Sequence, residues 1–190
     1  MISAILLAAG QSKRLTGENK LIKYFKNKPL INHSIDALLR SKVNKVIIVL
    51  GYQSTQLKRL IKKNKKISFI INKNYKKGMS TSIKYSLSKI SKKNRGFIIA
   101  QSDMPFIKTK HINKICNSIQ KKIDLVHVLK YRDKIGNPIG FDISTLPKFK
   151  KIKGDYGAKF MVKRLKNKTN FIKVNSSKGF KDFDLKKDFN

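Results

Sequence analysis

The chemistry of this chain begins at its first corner. The run Ile5-Leu6-Leu7-Ala8-Ala9-Gly10 stops at small residues and gives way to a polar loop carrying Ser12, Lys13, Arg14 and Lys20. Small residues after an apolar strand let backbone N–H groups approach an anion closely. The loop cations add charge-assisted hydrogen bonds to phosphate oxygens. Together they describe a nucleoside triphosphate site. The spacing is neither the GxxxxGK(S/T) of a Walker loop nor the GxGxxG of a dinucleotide fingerprint.

Carboxylates are scarce, so each is informative. The chain of 190 residues has 45 Lys and Arg against 10 Asp and Glu, a formal charge of +35. Asp103, in Gln101-Ser102-Asp103-Met104-Pro105, follows an apolar run and precedes a proline. A carboxylate at a strand end suits a divalent metal held against phosphates, because Mg²⁺ takes one or two carboxylates plus phosphate oxygens. Asp182 and Asp184 lie two apart near the end of the chain, so on an extended segment they share a face, and either can be a second metal ligand. Gly78, in Lys77-Gly78-Met79-Ser80-Thr81-Ser82, lets the chain approach a ligand, and Ser80 or Thr81 can cap the helix that follows. Asp155, in Gly154-Asp155-Tyr156-Gly157, can N-cap a helix starting near Gly157.

The elements that must position these residues alternate. Apolar strands are expected at 2–9, 45–50, 67–71, 96–100, 125–129 and 171–174. Helices are expected from Pro29 through Leu39, at 54–62 capped by Ser54 or Thr55, and at 80–90, 109–120 and 157–165. Continuous apolar strands separated by amphipathic helices predict an α/β, Rossmann-like, mainly parallel sheet with helices on both faces. Ligands in such sheets sit beyond the carboxyl ends of the strands, where the loops above fall. The length and the lack of a linker predict a single domain over 1–190.

Composition narrows the partners. At 40% hydrophobic residues the chain has enough apolar surface to fold. The lysines are spread along the whole chain among Asn and Ile, with little Arg and no Trp, which reads as solvated faces rather than a nucleic-acid stripe. Cys116, the single cysteine, sits in an apolar helical pattern and reads as core; with no disulfide possible, a reducing cytoplasm is expected. No stretch approaches a membrane span, and no membrane partner is expected. His33, His111 and His127 fall on helix or strand patterns and read as structural.

The motifs, taken in order, resemble the MobA-like nucleotidyltransferase family, and within it the molybdenum cofactor cytidylyltransferases. The family's opening LAAGxSxRMGxNKLL is matched by Leu7-Ala8-Ala9-Gly10-Gln11-Ser12-Lys13-Arg14-Leu15 and Asn19-Lys20-Leu21-Ile22. Asn72, Tyr75, Gly78, Met79 and Ser82 match its second segment, and Ser102-Asp103-Met104-Pro105 its GDMP. Gly136-Asn137-Pro138, Gly154-Asp155-Tyr156-Gly157-Ala158-Lys159 and Asp182-Phe183-Asp184-Leu185-Lys186-Lys187-Asp188 match the rest, with Ser102, Lys159, Leu185 and Lys186 as departures.

The resemblance implies a fold of the nucleotide-diphospho-sugar transferase type. It implies CMP transfer from CTP to the terminal phosphate of molybdenum-bearing molybdopterin, with Mg²⁺ and release of pyrophosphate. Arg14, Lys20 and Asp103 would be catalytic: Arg14 on the leaving phosphates, Lys20 on the α-phosphate, and Asp103 with Asp182 or Asp184 on the metal. Leu7, Ala8, Ala9, Gly10, Gly78, Ser80 and Ser82 would line the nucleotide site, with Asn137 and Asp155 on the substrate. Ala9, where guanylyltransferase relatives carry Gly, points to cytosine. A molybdenum hydroxylase is the implied recipient of the product. The competing readings are a guanylyl- or sugar-phosphate nucleotidyltransferase on the same scaffold, and a basic nucleic-acid- or partner-binding protein on an inactive one.

Overall fold

A computed structural model describes residues 1–12 and 18–189. Nine strands are assigned among them: β1 (Ile2–Ala8), β2 (Tyr24–Phe25), β3 (Lys28–Pro29), β4 (Lys45–Leu50), β5 (Ile67–Ile71), β6 (Gly96–Gln101), β7 (Val126–Tyr131), β8 (Lys134–Asp142) and β9 (Thr169–Lys173). The α-helices are α1 (Leu30–Leu39), α2 (Ser54–Arg59), α3 (Met79–Leu87), α4 (Thr109–Lys121) and α5 (Ala158–Arg164). Seven strands form one sheet in the order β5-β4-β1-β6-β8-β7-β9, and β2 pairs with β3 in a small separate hairpin. The β5-β4-β1-β6 half is parallel throughout, as is the β7–β9 pair, whereas β8 runs antiparallel to both neighbours.

Each strand supplies two faces, and the helices cover both. Ala4, Leu6, Ala8, Val46, Ile48 and Leu50 pack with Leu30, Ile31, Leu38, Ile112, Ile115 and Cys116 of α1 and α4 on one side. Ile5, Ile47, Val49, Phe97 and Ile99 pack with Ile83, Met161 and Val162 of α3 and α5 on the other. This alternation is the period-2 rule of a strand applied to a sheet buried on both sides.

Several local expectations are corrected. β8 is an addition to the expected strands, and it contains Gly136, Asn137, Pro138 and Gly140. The chain accommodates them with an irregularity: Val128 pairs with Ile139 but Leu129 with Gly136, so Asn137 and Pro138 fall in a bulge. A bulge is where a sheet tolerates a proline that cannot donate to the ladder. Neither Ser54 nor Thr55 caps α2; Gln53 precedes it in the left-handed region at φ 49° with no side-chain cap, and the helix ends at Arg59. Gly78, not Ser80 or Thr81, stands at the N-cap of α3, which ends at Leu87. Gly157 stands at the N-cap of α5, so Asp155 does not cap it.

Cys116 is fully buried in the core, and burial pushes its thiol up to about 11. His127 is buried with Nδ1 on Ser118 Oγ at 2.8 Å, His33 Nε2 lies 2.8 Å from the Phe25 carbonyl, and His111 Nδ1 accepts from Lys108 N–H at 3.1 Å. Among the described residues no helix is long and apolar enough to cross a membrane.

Candidate active site

A cavity of about 420 Å³ opens beyond the carboxyl ends of β1, β5 and β6. From the first loop it is lined by Leu7, Ala9, Gly10 and Lys20; from the segment after β5 by Tyr75, Gly78, Met79 and Ser82; from the end of β6 by Gln101, Ser102 and Asp103; and from later segments by Asp155 and Asp184. Ala8 and Ser80 are buried and do not line it. Asn137 is a step removed: its Nδ2 donates to Gln101 Oε1 at 2.9 Å, and Gln101 reaches the cavity. Arg14 lies outside the described residues.

Lys20 is set in place by its neighbours. Its backbone N–H donates to Ser12 Oγ at 3.1 Å. Next to it, Asn19 Oδ1 accepts from Leu21 N–H at 3.0 Å, and Asn19 Nδ2 donates to the Tyr52 carbonyl at 3.4 Å. Leu21 is buried in the core, so the loop is anchored on both sides of the lysine.

Asp103 is fixed from β6. The Ser102 hydroxyl donates to the Leu7 carbonyl at 2.7 Å, which ties the end of β6 to the end of β1. Met104 and Pro105 are buried directly after it.

Asp184 arrives from the far end of the chain. Phe183 N–H donates to the Asp103 carbonyl at 2.9 Å, and the Phe183 ring is buried edge-on against Phe25, Phe106 and Phe189. Asp188 Oδ2 then accepts from the N–H groups of Asp184 and Leu185, both at 2.9 Å. Those backbone bonds hold the Asp188 carboxyl down to about 2. Of the two aspartates, Asp184 lines the cavity, while Asp182 is exposed and does not, although its charge acts on Asp103. Asp188 was carried in the sequence only as part of the closing motif, yet it shapes the turn that presents Asp184.

The three segments meet at Lys20. Its Nζ lies 2.6 Å from Asp103 Oδ2 and 2.6 Å from Asp184 Oδ1. Burial lowers the lysine pKa, but the two carboxylates more than offset it, and the net shift is upward. Burial raises the Asp103 pKa, and Lys20 only partly offsets it; Asp182 adds a further upward push. The other oxygen, Asp103 Oδ1, is buried and has no hydrogen-bond partner among the described residues. A buried acceptor left unpaired is costly, so this oxygen suits a cation, a water or another donor from outside. No group of three or more His, Cys, Asp or Glu suited to a metal occurs among the described residues. Two carboxylates fit an ion whose remaining positions are filled by phosphate oxygens and water.

The opposite wall is a clasp. Asn72, fully buried, donates from Nδ2 to Thr81 Oγ1 and Ser82 Oγ, both at 2.9 Å. Gly78 has φ +101°, and a Cβ there would stand 2.5 Å from the Gly154 backbone. Ser80 N–H donates to the Gly154 carbonyl at 3.0 Å, and Met79 N–H to Asp155 Oδ1 at 3.3 Å. Asp155 therefore serves the start of α3 from across the cavity. Gly51 lets the floor close, since a Cβ there would lie 2.8 Å from both Ala9 Cβ and Tyr75 Cβ. Gln101, Tyr75 and Met79 were not singled out as site residues, although each sits directly after a strand or in a matched motif.

Comparison with known proteins agrees with this architecture. CTP:phosphoglutamine cytidylyltransferase of Campylobacter jejuni is 35% identical over 80 residues, 40% of this chain, and the match covers 32% of that relative's length. Rv0371c from Mycobacterium tuberculosis H37Rv superposes with a TM-score of 0.85 at 18% identity, covering 99% of this chain and 94% of that one. Its complex with manganese superposes at 0.77, with 16% identity over 91% and 88% of the two chains. A nucleotidyl transferase from Methanothermobacter thermautotroptrophicus gives 0.84 at 16% identity, over 100% and 94%. Residues 4–169 match the MobA-like NTP transferase domain, and the chain belongs to that nucleotidyltransferase family.

Proposed function

We propose that the protein transfers CMP from CTP to the terminal phosphate of an acceptor, with Mg²⁺ and release of pyrophosphate, and that the acceptor is molybdenum-bearing molybdopterin. The observation that carries the reading is the meeting of Lys20, Asp103 and Asp184 in the cavity beyond β1 and β6, with one Asp103 oxygen unpartnered among the described residues. An acceptor phosphate oxygen attacks the α-phosphorus; a new P–O bond forms, the bond to the β-phosphate oxygen breaks, and pyrophosphate carries that electron pair away. Such transfers depend on positioning and charge neutralisation more than on covalent chemistry by the protein. Lys20 neutralises the α-phosphate, and Arg14 the departing phosphates. Asp103 and Asp184 are the residues that would hold the metal, whose contribution is to polarise the phosphate oxygens. The attacking phosphate is already ionised at neutral pH, so no general base is required. The three histidines, packed elsewhere, are in keeping with that.

Ala9 on the cavity wall and the family resemblance support cytosine, as does the CTP named for the Campylobacter relative. That relative also favours a second acceptor, a small phosphorylated metabolite of the phosphoglutamine kind. One assay separates these readings. Purified protein with Mg²⁺ is offered CTP, GTP, ATP or UTP against each acceptor, and pyrophosphate release is followed. Release with CTP and molybdopterin is expected, with loss of at least about a hundredfold in Lys20→Met and Asp103→Asn. Preference for GTP overturns the base assignment, turnover with phosphoglutamine alone overturns the acceptor, and no turnover with any pair overturns both. If molybdopterin is the acceptor, a single domain working in the cytoplasm would hand its product to a molybdenum hydroxylase.

A further inference from the structure

We propose that Lys20 is a resident counter-cation of the Asp103–Asp184 pair, that it and a divalent metal compete for the two oxygens it holds, and that the metal therefore enters together with the nucleotide rather than ahead of it. The proposal rests on the nucleotidyl-transfer reading in one respect: the triphosphate is what receives the displaced ammonium.

The geometry is specific. One ammonium donates to one oxygen of each carboxylate at 2.6 Å, and its side chain is only 14% exposed. Charge-assisted bonds of this length are the strong class. A divalent ion on the two oxygens that Lys20 holds would need the space that the ammonium fills, and like charge adds to the competition. Expelling Lys20 with nothing to receive it strands a partly buried cation, which is costly. An α-phosphate oxygen entering at the same moment removes that cost.

The unused oxygen points the same way. Among the described residues Asp103 Oδ1 is buried without a hydrogen-bond partner, although Lys20 donates to Oδ2. The lysine thus compensates the site incompletely, as a placeholder does. Exchange would also deliver the ammonium: the charge that guards the carboxylates in the free protein becomes the charge on the phosphorus under attack.

The test uses Mn²⁺ as probe, with free ion followed by electron paramagnetic resonance during titration of the full chain. Without nucleotide, Lys20→Met is expected to bind Mn²⁺ about tenfold or more tightly than wild type, because a bound competitor has been removed. Lys20→Gln is expected to behave likewise, whereas Lys20→Arg, which keeps the cation, shows no gain. Adding Asp103→Asn to Lys20→Met is expected to abolish the gain. Equal or weaker Mn²⁺ binding by folded Lys20→Met and Lys20→Gln overturns the proposal. So does wild-type Mn²⁺ binding that, with CTP shown by calorimetry to be bound, is as tight without CTP as with it, a measurement that needs no variant. Failure of the functional reading looks different: CTP does not bind, while the gain in Lys20→Met persists.

Discussion

A hydroxymethyl side chain, Ser102, stands before Asp103 where the motif this chain resembles has glycine. Ser102 Oγ donates to the Leu7 carbonyl at 2.7 Å, and the Ser102 N–H reaches the same oxygen at 3.3 Å. The side chain therefore adds a second tether between the ends of β6 and β1, next to Asp103 on one side and the first loop on the other. Ser102 as a whole is buried at 3% exposure, on the wall of the cavity. Removing it in Ser102→Ala is expected to destabilise the fold by about 1 kcal/mol, read from urea denaturation midpoints at constant slope. Stability equal to wild type would show that the tether contributes nothing. The sequence alone marks Ser102 as a departure but not its partner, because Leu7 lies far away along the chain and only the β1–β6 pairing brings the two together.

At the scale of elements, the cavity depends on two loops closing across it. The segment after β5 and the loop 152–157 meet where Gly78, at φ +101°, lies against Gly154 and where Ser80 and Met79 N–H groups donate to Gly154 and Asp155. Gly78→Ala adds a methyl to a conformation that L-residues avoid and drives it into backbone. A loss of about 1–3 kcal/mol is expected, together with weaker nucleotide binding by calorimetry. Wild-type affinity in that variant would mean that the two loops do not shape the site. Sequence patterning captured the parallel strands and most helices here, since their apolar periods are long and uninterrupted. It missed β8, whose glycines and proline imitate a loop and are absorbed by a bulge. It misplaced the caps of α2 and α3: Thr81 Oγ1, for one, donates back to the Gly78 carbonyl at 2.9 Å from inside α3. In the site, Lys20 and Asp103 were legible from type and position after a strand. That Asp184 and not Asp182 lines the cavity was not, because it turns on the packing of Phe183 and on the Asp188 turn.

For the molecule as a whole, the charge of +35 acts in two directions at once. Like charges spread over a compact surface repel one another, and folding gathers them, so the native state carries an electrostatic burden that salt screens. The same positive field draws a triphosphate toward the cavity, and salt screens that attraction too. The core built on both faces of the sheet must therefore hold against the charge, while the site exploits it. Raising sodium chloride from about 20 mM to about 300 mM shortens the Debye length from roughly 20 Å to roughly 6 Å. Over that range the melting temperature is expected to rise by several degrees, and the KM for nucleotide to rise several-fold with little change in kcat. The two trends have opposite signs for function and stability, which a change in folding alone cannot produce. A melting temperature that falls with salt would mean that the lysines are already neutralised locally. A KM indifferent to salt would mean that the nucleotide is drawn in by the few charges lining the cavity, with the surrounding lysines serving only as a solvated surface.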